Sequence, residues 1–133
     1  MGAKILVVDD TETMRRFHTV LLSAHGYEIE TATDGVDALE KIKNYNPALI
    51  LLDLMMPNMD GIECCSRIKS NDDTKHIKVV MVTSRSEYEM VKKAYAAGCD
   101  DYITKPVDQA ELTEKVAELL KFFALRQMLR KSK

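Results

Sequence analysis

The sequence predicts an α/β fold in which helices cover both faces of a parallel sheet. Apolar runs alternate with amphipathic stretches from end to end, the pattern of successive βα units. Three of these runs, Ile5-Leu6-Val7-Val8, Ala48-Leu49-Ile50-Leu51-Leu52 and Val79-Val80-Met81-Val82, are continuous and rich in β-branched residues, as strands buried on both faces should be. A chain of 133 residues has the size of one ordinary domain. With 46% hydrophobic and 30% charged residues it can pack a core and is too apolar to be disordered.

In chain order, Ile5–Val8 is the first interior strand, and Met14, Phe17, Leu21 and Leu22 follow at helical spacing until Gly26 stops them. Tyr27-Glu28-Ile29-Glu30-Thr31 alternates and predicts an edge strand exposed on one side. Val36, Leu39 and Ile42 mark the second helix. The third strand, Ala48–Leu52, leads to a third helix from about Gly61 to Lys69, and the fourth strand, Val79–Val82, to a helix striped by Tyr88, Val91, Ala94 and Tyr95 and ended by Gly98. Asp101-Tyr102-Ile103 is short and begins with a charge, which predicts the other edge. Leu112, Val116, Leu119, Leu120 and Phe123 stripe the last helix. Two edges, three interior strands and right-handed crossovers fit a flavodoxin-like doubly wound (βα)5 sheet in the order 2-1-3-4-5.

The polar residues that end the strands converge. Asp9 and Asp10 follow the first strand, Asp53 the third, Thr83 the fourth and Lys105 the fifth. In this order ligands bind at the carboxyl edge, at the switch point between strands one and three. Taken singly, each residue has a plainer reading: Asp10 or Thr11 could cap a helix, Asp53 could open a turn through Pro57 and Gly61, Thr83 could be a turn hydroxyl and Lys105 a solvated charge. Together they leave three negative charges against one positive, an arrangement that favours a divalent cation. Oxygen ligands with room for water and phosphate favour Mg²⁺ over Ca²⁺. With that charge screened, Asp53 could attack a phosphoryl group and form an aspartyl phosphate.

The runs Val7-Val8-Asp9-Asp10, Leu51 to Gly61 (LLDLMMPNMDG), Val82-Thr83-Ser84 and Tyr102-Ile103-Thr104-Lys105-Pro106 together resemble the receiver domain of two-component response regulators, over about Lys4 to Leu120. The resemblance implies that Asp53 accepts a phosphoryl group from a phosphohistidine on a sensor histidine kinase or phosphotransfer protein. It implies that Asp10, Asp53 and the carbonyl of Met55 bind Mg²⁺, with Asp9 acting through water. Thr83 would hydrogen-bond the phosphoryl group, Lys105 would pair with it, and the peptide before Pro106 would be cis. Tyr102 would be the aromatic switch, rotating inward on phosphorylation and changing the face built from the fourth helix, fifth strand and fifth helix. That face would engage a partner, an attached output domain or a second copy of the chain. Such a protein is a switch, catalysing only its own phosphorylation and dephosphorylation.

Two positions point to tuning. Met55 cannot orient an attacking water by hydrogen bonding, and Arg85 could pair with the phosphoryl group, so a long-lived phosphorylated state is expected. The enzymatic rival, a haloacid-dehalogenase-like phosphatase, would carry a D-x-D nucleophile on the first strand, whereas Asp9-Asp10-Thr11-Glu12 has no second Asp at that spacing and the chain has no room for a cap domain. A flavin carrier would need an uncharged loop after the first strand in place of Asp9-Asp10.

The remaining features are read more plainly. Lys and Arg total 19 against 21 Asp and Glu, a net charge of −2, which argues against direct nucleic-acid binding. No apolar run nears the ~20 residues of a membrane helix, and the start, Met1-Gly2-Ala3-Lys4, lacks a secretory apolar region. A cytoplasmic protein with no membrane insertion is expected, and Leu6 in place of Ser or Thr breaks the myristoylation pattern. Cys64, Cys65 and Cys99 suit buried thiols better than a disulfide or metal site. His18, His25 and His76 lack metal spacing, and the eight methionines are gap fillers. Residues 1–120 form the domain, followed by a basic extension over 121–133. Lys121, Arg126, Arg130, Lys131 and Lys133 give that extension +5, leaving −7 on the rest. There Phe122, Leu125 and Leu129 open a second apolar stripe, on the face where earlier turns carry Glu111, Glu114 and Glu118. A dimer or partner contact, the stem of a linker to an output domain, or a solvated tail would each fit it.

Overall fold

A computed structural model describes residues 2–131. Five strands and five helices alternate: β1 Lys4–Val8, α1 Glu12–Ala24, β2 Glu28–Ala32, α2 Gly35–Tyr45, β3 Leu49–Asp53, α3 Gly61–Ser70, β4 Lys78–Thr83, α4 Tyr88–Ala96, β5 Asp101–Thr104 and α5 Gln109–Lys131. The strands form one parallel sheet in the order β2-β1-β3-β4-β5. The predicted fold class and strand order are therefore the observed ones.

Alternation along each strand divides the core in two. Leu6, Val8, Ile50, Leu52, Val79 and Met81 point to the side covered by α2, α3 and α4. Ile5, Val7, Leu49, Leu51, Val80 and Val82 face α1 and α5, where they meet Leu22, Leu112, Val116 and Leu120. Each fully buried Leu or Ile contributes roughly 1.5–3 kcal/mol relative to exposure. Four helices begin on side-chain caps that the sequence spells out, α5 among them through Asp108, which accepts from the amide of Glu111 at 3.0 Å. Thr11 accepts from the amide of Met14, Asp34 from Asp37 and Asp60 from Glu63.

The structure corrects several finer expectations. β3 includes Asp53, β4 includes Thr83 and β5 includes Thr104, because the ladder continues into the polar ends: Asp53 registers with Val82, and Thr83 with Thr104. β5 is an edge by pairing, yet Tyr102 and Ile103 are both buried beneath helices. Val36 is exposed on α2, which packs instead through Gly35, Ala38 and Ile42. On α4 Tyr88 and Tyr95 are exposed, and Ala94 alone is fully buried. The three cysteines are buried free thiols, as expected, and burial pushes Cys64 and Cys99 up to about 12 and Cys65 up to about 11. None of the described helices is long and apolar enough to cross a membrane.

Candidate functional site

Parallel pairing brings the ends of β1, β3, β4 and β5 to one edge, and the chemistry follows from what the chain places there. Asp9 is almost fully buried. Its Oδ1 accepts from the amide and hydroxyl of Thr11 at 2.9 and 3.0 Å. Its Oδ2 faces Lys105 Nζ at 3.3 Å, and its carbonyl accepts from Arg15 at 2.8 Å. Asp53 is also buried; its Oδ1 accepts from the amide of Met55 at 3.2 Å, and Lys105 Nζ lies 3.7 Å from its Oδ2. Lys105 thus bridges two carboxylates from across the sheet. Asp10 is exposed and completes the set: ligand oxygens of Asp9, Asp10 and Asp53 all lie within 4.8 Å of one another.

These charges do not balance. Burial, opposed by Lys105 and reinforced by Asp9 and Asp10, pushes the Asp53 carboxyl up to about 6, the direction expected for a carboxylate short of positive charge. Three hard oxygen donors of different exposure, one of them open to solvent, fit Mg²⁺, which takes few carboxylates and keeps waters. The donor set therefore suits a divalent cation at this edge.

Thr83 and Tyr102 sit beside the cluster. The Thr83 hydroxyl is buried and accepts from the amide of Arg85 at 3.1 Å, which leaves its own proton to donate. Tyr102 is buried, and its hydroxyl donates to the carbonyl of Arg85. Tyr102 is therefore already inward in this structure, where the resemblance implies inward rotation only after phosphorylation. The guanidinium of Arg85 is held by Glu87, with Nε 2.8 Å from Oε1, so a phosphoryl contact would have to replace that pair. The Lys105–Pro106 peptide is cis, as expected. Met55 exposes half of its side chain two residues beyond Asp53.

Several residues beyond the strand ends also shape the site. Thr11 was weighed as a helix cap, which it is, but it also fixes the orientation of Asp9. Gly61 lets the loop after β3 close: a Cβ there would stand 2.5 Å from the carbonyl oxygen of Asp53 and 2.8 Å from Cα of Leu54. The clue was a glycine directly after the Asp60 cap. Asn58 takes a left-handed φ of 69° and donates to Asp34 at 2.8 Å, tying this loop to the start of α2. His18 is buried on α1 with neither ring nitrogen hydrogen-bonded, and burial lowers it to about 4. His25 and His76 are exposed.

The extension is the continuation of α5, on which Phe122, Leu125, Met128 and Leu129 are exposed while Phe123 packs against the core. Lys133 lies outside the described residues, as does the side chain of Lys131.

Comparison with known proteins agrees with this geometry. The chain is 39% identical over 120 residues to the chemotaxis protein CheY of Halobacterium salinarum, covering 90% of this chain and 98% of that one. It is 40% identical over 122 residues to the response regulator PleD of Caulobacter vibrioides, covering 92% of this chain but 27% of PleD. The crystal structure of a CheY-like response regulator receiver domain protein from Methanospirillum hungatei superposes with a TM-score of 0.85 at 33% identity, covering 91% and 95% of the two chains. A model of the response regulator receiver domain matches residues 5–117, and with the convergence of strand-end carboxylates and lysine on a 2-1-3-4-5 sheet it places this chain in the receiver-domain family of two-component response regulators.

Proposed function

We propose that the chain is a phosphorylation-controlled binding switch whose acceptor is Asp53. The observation that carries this reading is the meeting of buried Asp53 with Asp9, Asp10 and Lys105 at the carboxyl edge of the sheet. Receiver domains generally bind Mg²⁺ and interact with histidine kinases or phosphotransfer proteins and with output domains. Here Asp10, Asp53 and the Met55 carbonyl would hold the ion, with Asp9 acting through water, and the ion supplies charge neutralisation at the phosphoryl oxygens. An Asp53 oxygen attacks phosphorus; the P–N bond of the donor phosphohistidine breaks, and its electron pair returns to the imidazole, which takes up a proton. Lys105 then turns from bridging Asp9 and Asp53 to pairing with the new phosphoryl group. Thr83 donates its unused hydroxyl proton to a phosphoryl oxygen.

The added charge, about −1.5 to −2, biases a two-state element made of Thr83, the segment Arg85–Glu87 and Tyr102. Because Tyr102 is already inward, phosphorylation selects and holds this arrangement rather than creating it. The readout is the α4-β5-α5 face, which would engage a downstream protein, an attached output domain or a second copy. Near-complete coverage of a CheY supports a stand-alone regulator, and coverage of a quarter of PleD supports a module of a longer protein. The cytoplasm is the compartment in which this partnership would operate.

Beryllofluoride, a phosphoryl mimic, tests the switch. With Mg²⁺ it is expected to perturb the amide resonances of Thr83, Arg85, Tyr102 and α4 in a saturable way, and not in Asp53→Asn. Absence of any perturbation, or an equal one in the variant, would contradict the reading. The tuning positions carry a second expectation. Met55→Asn with Arg85→Glu should speed loss of the phosphoryl group about 2–10-fold, the effect of one water-orienting hydrogen bond of about 0.5–1.5 kcal/mol. An unchanged rate would remove the case for a long-lived phosphorylated state.

A further inference from the structure

A groove of about 750 Å³ opens at the end of the sheet opposite the carboxylates. It lies where α5 runs past the amino ends of the strands, with Lys4 at the start of β1 and Lys78 at the start of β4. Five residues of strand at about 3.3 Å each set it roughly 16 Å from the Asp53 site. Its volume falls in the range of about 300–1,000 Å³ common for small-molecule sites.

The lining has a definite chemistry. Lys4, Lys78, Arg126 and Arg130 all border the groove, His76 adds a fifth nitrogen base, and among the described residues no carboxylate lines it. None of the four cations makes an ion pair among the described residues, although Lys4 lies over the Tyr45 ring at 5.3 Å. Elsewhere pairing is common: Arg16, Lys41, Arg67, Lys69 and Lys115 each face a carboxylate. The same groove is walled by Phe122, which is largely exposed, and by the half-buried Phe123. Clustered uncompensated cations want a polyanion, and guanidinium groups suit phosphate because they can donate two parallel hydrogen bonds. An exposed aromatic wall beside them offers stacking to a flat ring. A bare inorganic anion would leave that wall unused. An extended nucleic-acid strand would need the basic surface to continue, but residues 1–120 carry a net −7.

We propose that this groove binds a nucleotide, with its phosphates held by Lys4, Lys78, Arg126 and Arg130 and its base stacked on Phe122. The site is separate from the phosphoryl-acceptor edge and would give the switch a second, small-molecule input.

Calorimetric titration of the full chain with ATP and GTP tests the proposal, in Mg²⁺-free buffer so that no metal at the acidic edge can bridge phosphates. Inorganic triphosphate and adenosine serve as the two halves of the ligand. Saturable binding of at least one nucleotide is expected with a dissociation constant below about 1 mM, about tenfold or more tighter than either half. Lys78→Glu and Arg126→Glu should each weaken it about tenfold or more, and Phe122→Ala should bring it down to the affinity of triphosphate. Arg126→Gln provides a milder variant, and unchanged labelling by acetyl phosphate certifies that each variant is folded. No saturable binding of either nucleotide, triphosphate binding as tight as the nucleotide, or affinity untouched by both charge reversals would each overturn the assignment.

Discussion

His18 illustrates how much a single buried group can set. It lies buried on α1 with its ring 5.2 Å from that of Phe17, near both Asp9 and Lys105, and neither ring nitrogen is hydrogen-bonded. Burial lowers it from 6.5 to about 4, so the folded chain refuses a proton that the unfolded chain accepts. The unfolded state then binds more protons between those values, and stability falls as pH drops from about 6.5 to about 4. His18→Leu should abolish that acid-side loss, worth about 1–3 kcal/mol, and raise stability at neutral pH by removing an unsatisfied polar group. Thermal melts of both proteins from pH 4 to 8 check this; parallel curves would contradict it. The sequence offered no sign of His18's burial, because Phe17 competes for the same helical stripe and only packing decides which side chain turns inward. By contrast Asp9, Asp53, Thr83 and Lys105 were legible, since each directly follows or ends an apolar strand and parallel pairing leaves only one edge for them to share.

Among the elements, strands were easier to read than helix faces. Continuous apolar runs have few interpretations, and β1, β3 and β4 lie within a residue of where those runs fall. Helix stripes were only partly right: on α2 Gly35 approaches Met59 and Ala38 is buried while Val36 is exposed, and on α4 the predicted Ala94 is buried while Tyr88 and Tyr95 are exposed. Small residues allow close approach and carry little hydrophobic signal. The second stripe of α5 faces outward, with Phe122, Leu125 and Leu129 all exposed. Deleting residues 124–133 should therefore leave the fold intact and change stability by less than about 1 kcal/mol. Chemical denaturation with size-exclusion chromatography reads both consequences. A larger loss would mean the extension packs on its own domain, and a change from dimer to monomer would assign the stripe to self-association.

For the whole molecule, the parallel sheet separates two kinds of surface. One edge gathers carboxylates beside a single lysine, and the opposite end gathers cations beside the exposed Phe122 and the half-buried Phe123. Charge is segregated along the sequence as well, −7 over residues 1–120 and +5 over residues 121–133. The first end was foreseeable from motif and topology together. The second was not, because Lys4, Lys78 and Arg126 are far apart in sequence and share no pattern until the sheet and α5 bring them together. The central claim is that the acidic edge makes Asp53 a phosphoryl acceptor that depends on a divalent cation. Intact mass after incubation with acetyl phosphate, with and without Mg²⁺, on the native chain and Asp53→Asn tests it most directly. One added phosphoryl group that requires both Mg²⁺ and Asp53 is expected. An adduct on the variant, or one formed equally without the metal, would contradict it.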